Sequence, residues 1–204
     1  MKRAFIIMML TISLASLAVA SDFSLTANIS SNWGVSDFFQ QSQSALVQDG
    51  MNYLESVEKR LGFGFNFSLQ IPVMKRLYVV PAFSQVRGHQ QYLLENQDDP
   101  EEDPQRNTNY FKITSLELGV LYDLFVLENG WRLDLRCGLN SNKFAGDEEM
   151  GIEDKTYWGL QLGVGAKFVH LKHWGFQLLG IYKVPFDSEL YSFFSAQFGI
   201  MYKF

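Results

Sequence analysis

The chain has a single cysteine, Cys137, little positive charge, and no long apolar run beyond its first 20 residues. One thiol cannot close an internal disulfide, which excludes a small secreted domain held together by cross-links. The lack of 18 consecutive apolar residues after the leading segment excludes ordinary transmembrane helices. It says nothing against membrane strands, each of which needs only about ten residues of alternation. Lysine and arginine total 17 against 22 acidic residues. Without Lys2 and Arg3 the basic count falls to 15, a formal charge of −7 that gives no support for a nucleic-acid partner.

What is present begins with a leader. Lys2 and Arg3 precede an almost wholly apolar stretch from Ala4 to Leu17, and Ala18-Val19-Ala20 puts small residues where a signal peptidase reads. Residues 1–20 are therefore expected to be a secretory signal peptide cleaved before Ser21. No cysteine stands at its end, so lipoprotein processing is not indicated. Residues 21–204 have the length of one domain.

The stretch LGFGFNFSLQIPV, residues 61–73, carries an apolar side chain at every odd position. A period of two means a strand with different environments on its two faces. The same device recurs along the chain, at 22–31, 76–87, 111–124, from Trp131 to Asn140, at 156–169, at 174–183 and up to the last residue. That makes eight candidate strands. Pro81 weakens the third, because a strand proline removes a ladder donor. The segment 174–183 is mixed, though aromatic at its start. Eleven residues tilted by about 45° cover roughly 25 Å, the height of a membrane barrel's apolar band. The connections alternate in length: 72–75, 125–129 and 170–173 are short, whereas 32–60, 88–110 and 142–155 are long. Short turns at one rim and long loops at the other predict an all-β, eight-stranded antiparallel up-and-down transmembrane β-barrel with the short turns periplasmic.

The polar face supports the same reading. Glu117, Asp123, Arg132, Asp134 and Arg136 share one face of two neighbouring strands, and Lys167 lies on the corresponding face of a third, beside Gln161 and glycines 159, 163 and 165. An eight-stranded barrel is just wide enough to be filled by side chains. Opposite charges can pair there, whereas the same groups in lipid would cost several kcal/mol. These six residues are expected to form a charge network in the lumen. Trp131, Trp158 and Trp174 fall near strand ends, where a membrane barrel carries its aromatic girdles.

The closing stretch AQFGIMYKF ends in Phe204, with Tyr202, Ile200 and Phe198 continuing the alternation. It resembles the last strand of bacterial outer-membrane β-barrel proteins. The mature chain as a whole is similar to their small eight-stranded class, the OmpA transmembrane domain, OmpW-like and related porin-family proteins. The resemblance implies residence in the outer membrane of a Gram-negative bacterium, among its lipid and lipopolysaccharide. It also implies that the barrel-assembly machinery recognises Phe204 and Tyr202. It implies no one activity.

The loops add expectations of their own. Leu46, Gly50, Tyr53 or Leu54, Val57 and Leu61 approach helical spacing, so residues 44–62 are expected to hold a short amphipathic helix in the first outer loop. ENQDDPEEDP, residues 95–104, holds six acids, and Asp147, Glu148, Glu149, Glu153 and Asp154 follow in the next long loop. Divalent cations favour such oxygen ligands. The spacing matches no EF-hand, and no cofactor or metal ligand is assigned. A structural or surface-interaction role is the leading functional expectation, with a narrow channel for small solutes second. A lipid A-modifying enzyme is third: His89 and Ser84 are five residues apart, with no visible catalytic pair.

Overall fold

The computed structural model describes residues 23–35, 42–48, 51–99, 103–146, 156–169, 173–186 and 192–204. The expected signal peptide lies outside them. Nine strands run in chain order: β1 (Ser24–Gly34), β2 (Ser42–Gln48), β3 (Met51–Met74), β4 (Leu77–Asn96), β5 (Gln105–Val126), β6 (Trp131–Gly146), β7 (Thr156–Phe168), β8 (Trp174–Pro185) and β9 (Phe193–Lys203). All pairings are antiparallel, in the order β1-β9-β8-β7-β6-β5-β4-β3-β2, and a further β1–β3 pairing closes eight of the strands into a ring. Closure matters because an open sheet edge in lipid would leave backbone groups without partners. The seam is continuous from Ser24↔Lys203 to Gly34↔Phe193, and Phe204 N–H donates to the Phe23 carbonyl at 3.0 Å.

β2 is the strand outside the ring. β1 pairs with the lower part of β3, from Gln70 to Phe63, and β2 takes over the same edge from Val57 to Met51. The helix expected over 44–62 is therefore not there: the described residues 44–48 and 51–62 are strand. Their helical spacing is local, whereas the β3 backbone is held on both sides, by β2 and by β4 up to Tyr53↔Asn96. A continuous two-sided ladder outweighs a weak 3.6-residue pattern. The second long loop is shorter than expected for the same reason, since β4 and β5 remain paired to Leu94↔Gln105. Four strands thus project past the long-loop rim as a sheet.

Pro81 stays inside β4. The β3–β4 ladder is recorded at Ser68↔Ala82 and resumes in the same register at Ile71↔Val79, so the interruption falls where proline has no N–H to give.

The faces are inverted relative to a soluble protein. In β1, Thr26, Asn28, Ser30 and Asn32 are buried, while Ile29 is 68% exposed. Leu116, Leu118, Leu160, Leu162 and Val164 stand outward in the same way. A continuous exposed band of large apolar side chains around a polar interior needs lipid as its solvent. Aromatic pairs mark both rims: Phe23–Phe204 (4.4 Å between centroids), Trp174–Tyr202 (4.8 Å) and Trp131–Phe168 (5.1 Å) at the short-turn end, Trp33–Phe194 (5.9 Å) at the other.

Candidate functional site

Inward side chains fill the lumen in three tiers. The tier nearest the long-loop rim is apolar: Val86, Phe111, Ile113, Phe144, Tyr157 and Phe193 form one buried cluster, with Phe111 stacked on Phe144 at 4.9 Å. Gly88 makes room for it, since a Cβ there would come within 2.5 Å of the Phe111 ring.

Glu117 is the hub of the middle tier. Its carboxylate accepts hydrogen bonds from Ser84 Oγ and Lys183 Nζ, both at 2.7 Å, and from Arg136 Nη2 at 3.3 Å. Lys183 Nζ also donates to Ser84 Oγ at 3.1 Å and lies 5.4 Å from the Phe193 ring centroid, which couples this tier to the apolar one. Glu117, Arg136 and Lys183 are all at least 96% buried. Arg136 crosses a surface of glycines. Gly163 is its partner across β7, and a Cβ on Gly119 would stand 3.5 Å from its Nε.

The third tier sits near the short-turn rim. Asp123 forms ion pairs with Lys167 Nζ at 2.7 Å and Arg132 Nη1 at 3.1 Å, and Tyr78 bridges the Asp123 carboxylate and Arg132 Nη1. Lys167 also reaches Gln70, which donates to Gln177 across the barrel. Asp134 lies opposite Asp123 in the β5–β6 ladder, but neither of its carboxylate oxygens has a hydrogen-bond partner among the described residues. Five of the six expected lumen residues thus enter two ion-pair clusters, and Asp134 stands beside them without a bond. Sequence reasoning missed Lys183. Its sequence signal was weak, because Lys183 shares parity with Gln177 but also with the apolar Leu179 and Ile181, which leaves the alternation of this strand mixed.

His89 and Ser84 differ in parity, so the pleat places them on opposite faces of β4. Ser84 is committed to Glu117. The acids of residues 95–104 are described only in part. Asp98 accepts hydrogen bonds from the Asn52 backbone N–H at 2.7 Å and from its side chain, joining the ends of β3 and β4. Those bonds hold its carboxyl below the usual range. Asp147, Glu148, Glu149, Glu153 and Asp154 lie outside the described residues. Among the described residues no group of three metal-binding side chains converges.

No protein-family model and no curated protein matches the chain. Solved structures do. Neisserial surface protein A aligns over 89% of this chain and 97% of its own, with a TM-score of 0.58 at 15% identity. Outer membrane protein OprG of Pseudomonas aeruginosa aligns over 90% and 95%, at 0.56 and 12%. Ail, the attachment invasion locus protein of Yersinia pestis, aligns over 90% and 98%, at 0.51 and 15%. The fold is that of the small eight-stranded outer-membrane β-barrels. This fold and the outward apolar band together put the chain in the outer membrane of a Gram-negative bacterium. In an outer-membrane barrel the short-turn rim is periplasmic and the long-loop rim extracellular. The apolar tier therefore lies at the extracellular end of the lumen, the Asp123 tier opens toward the periplasm, and the β2–β5 projection stands outside the cell.

Proposed function

We propose that this outer-membrane barrel is a closed scaffold whose extracellular β2–β5 sheet is its working surface. The observation that carries the reading is the contrast between a lumen filled by three tiers of side chains and a sheet prolonged well past the membrane band, as far as Leu94↔Gln105. Ail bears the name of an attachment and invasion protein, which supports a surface role for a similar barrel. Lipopolysaccharide would surround the projecting sheet, and divalent cations would collect at its acidic tip. Removing the tip between Gln90 and Asn109, which are ladder partners, and joining the strands by Asn-Gly should leave the barrel folded and lower adhesion of expressing cells. Equal adhesion by both cell types would sink the surface reading.

A filled lumen carries its own prediction. Planar-bilayer recordings of the refolded chain should show no steady conductance, and a persistent open state would favour the narrow channel.

Assembly by the barrel-assembly machinery through Phe204 and Tyr202 belongs to the same proposal. Among the described residues Phe204 makes a backbone bond to Phe23 and ring contacts with Phe23 and Tyr202 at the rim. Its deletion should lower the amount inserted in cells several-fold while refolding in detergent stays close to normal. Unchanged insertion would show that Phe204 is only a packing residue.

A further inference from the structure

A vestibule of about 560 Å³ opens at the periplasmic mouth of the lumen, a size typical of small-molecule sites. Its lining is strongly one-signed. Lys75, Arg76, Arg132, Lys167 and Lys203 contribute five cations against Asp123 in the lining and Asp134 opposite it in the β5–β6 ladder, a formal excess of three positive charges. Asp123 pairs with Lys167 Nζ and Arg132 Nη1. Both hydrogen bonds that Arg132 makes to described residues come from Nη1, so among those residues the Nε and Nη2 side of its fork is open to a ligand. Lys75 and Arg76 form no ion pair with any described residue.

Arg76 adds a second and independent observation. Its φ is 75°, the only positive value at a non-glycine residue among those described. Glycine or asparagine ordinarily fills that conformation in a tight turn. The residue is held there from outside, because its carbonyl accepts the Asp123 N–H at 2.9 Å. A guanidinium kept in a disfavoured backbone state at the lip of a cationic cavity points to a use for its side chain.

We propose that the periplasmic vestibule binds a phosphate ester, held by the guanidinium groups of Arg76 and Arg132 with Lys75 beside them. A net positive lining favours a multiply charged or strongly hydrogen-bonding anion over a simple carboxylate, and the planar arginine fork matches phosphate oxygens in pairs. The cavity has room for more than the phosphate group. Val73, Met74 and Val126 line its lip and are exposed, so the ester's organic part meets an apolar edge at the level of the inner-leaflet headgroups. The phosphate therefore comes either from a soluble ester or from an anionic phospholipid.

The test uses the refolded chain in dodecyl maltoside micelles, which contain no phosphate, with backbone amide resonances of Arg76 and Arg132 as the readout. One arm titrates glycerol 3-phosphate and the other dihexanoyl phosphatidylglycerol. Saturable shifts are expected in at least one arm, and which arm saturates identifies the source. Arg76→Gly and Lys75→Gln, both in an exposed turn, should together weaken binding by about tenfold or more. Arg76→Gly by itself should raise the thermal midpoint by relieving the strained φ, which separates loss of binding from loss of fold. Absence of saturation in both arms, or equal affinity in the doubly substituted chain, overturns the proposal.

Discussion

Glu117→Leu is expected to lower the unfolding free energy of the refolded barrel by about 3–5 kcal/mol, the range for breaking a buried ion pair by removing one partner. The size follows from its position as a hub. The substitution leaves Arg136 and Lys183 buried, with both of their bonds to the carboxylate gone and the Ser84 hydroxyl deprived of its acceptor. Both cations are almost wholly buried, so bulk water does not replace the acceptor they lose. Replacing Glu117, Arg136 and Lys183 together by apolar residues of similar volume should recover much of the loss, because a complete ionic cluster often contributes little over well-packed hydrophobes. Urea-induced unfolding followed by tryptophan fluorescence reads both variants. A Glu117→Leu midpoint equal to wild type would show that the three groups do not act on one another.

Cysteine labelling in intact cells should give a nearly all-or-none contrast between the two rims. Cys137 faces outward from β6 in the lipid band, so Cys137→Ser provides a background without other thiols. Asp103→Cys, in the β4–β5 connection, should react with a membrane-impermeant maleimide. Glu128→Cys, in the β5–β6 turn, should stay unlabelled until the outer membrane is permeabilised. Both positions are exposed, which removes burial as the reason for any difference. The contrast follows from alternating connection lengths and from the ring of antiparallel strands, which puts successive connections at opposite ends. Equal labelling at both positions would overturn the orientation and with it the periplasmic placement of the vestibule.

The eight ring strands and the side each residue takes were legible because they depend on parity alone. Alternation along 61–73 or 156–169 states which residues share a face, and a charge on that face is tolerable only away from lipid. Glu117, Asp123, Arg132, Asp134, Arg136 and Lys167 were therefore readable as lumen residues without their partners. Parity carries no information about what lies across the barrel. That Lys183 meets Glu117, 66 residues away in the chain, depends on closure, which brings β8 round to face β5. The same limit explains Asp134: sharing a tier with Lys167 and Arg132 does not guarantee a bond, since parity places a side chain in the lumen without saying what it reaches.

Residues 44–62 mark the other boundary. Local spacing there is compatible with a helix, and the choice between helix and strand was made by the ladders that β2 and β4 extend along both sides of β3. By itself the sequence determined the element type in the membrane band, the inside and outside of each strand, and the alternation of short and long connections, all of which are consequences of a two-residue period in a chain facing two solvents. Only the tertiary structure decided the projecting sheet, the grouping of lumen charges around Glu117 and Asp123, and the cationic vestibule with its strained Arg76, because each requires backbone segments far apart in the chain to be brought into one register.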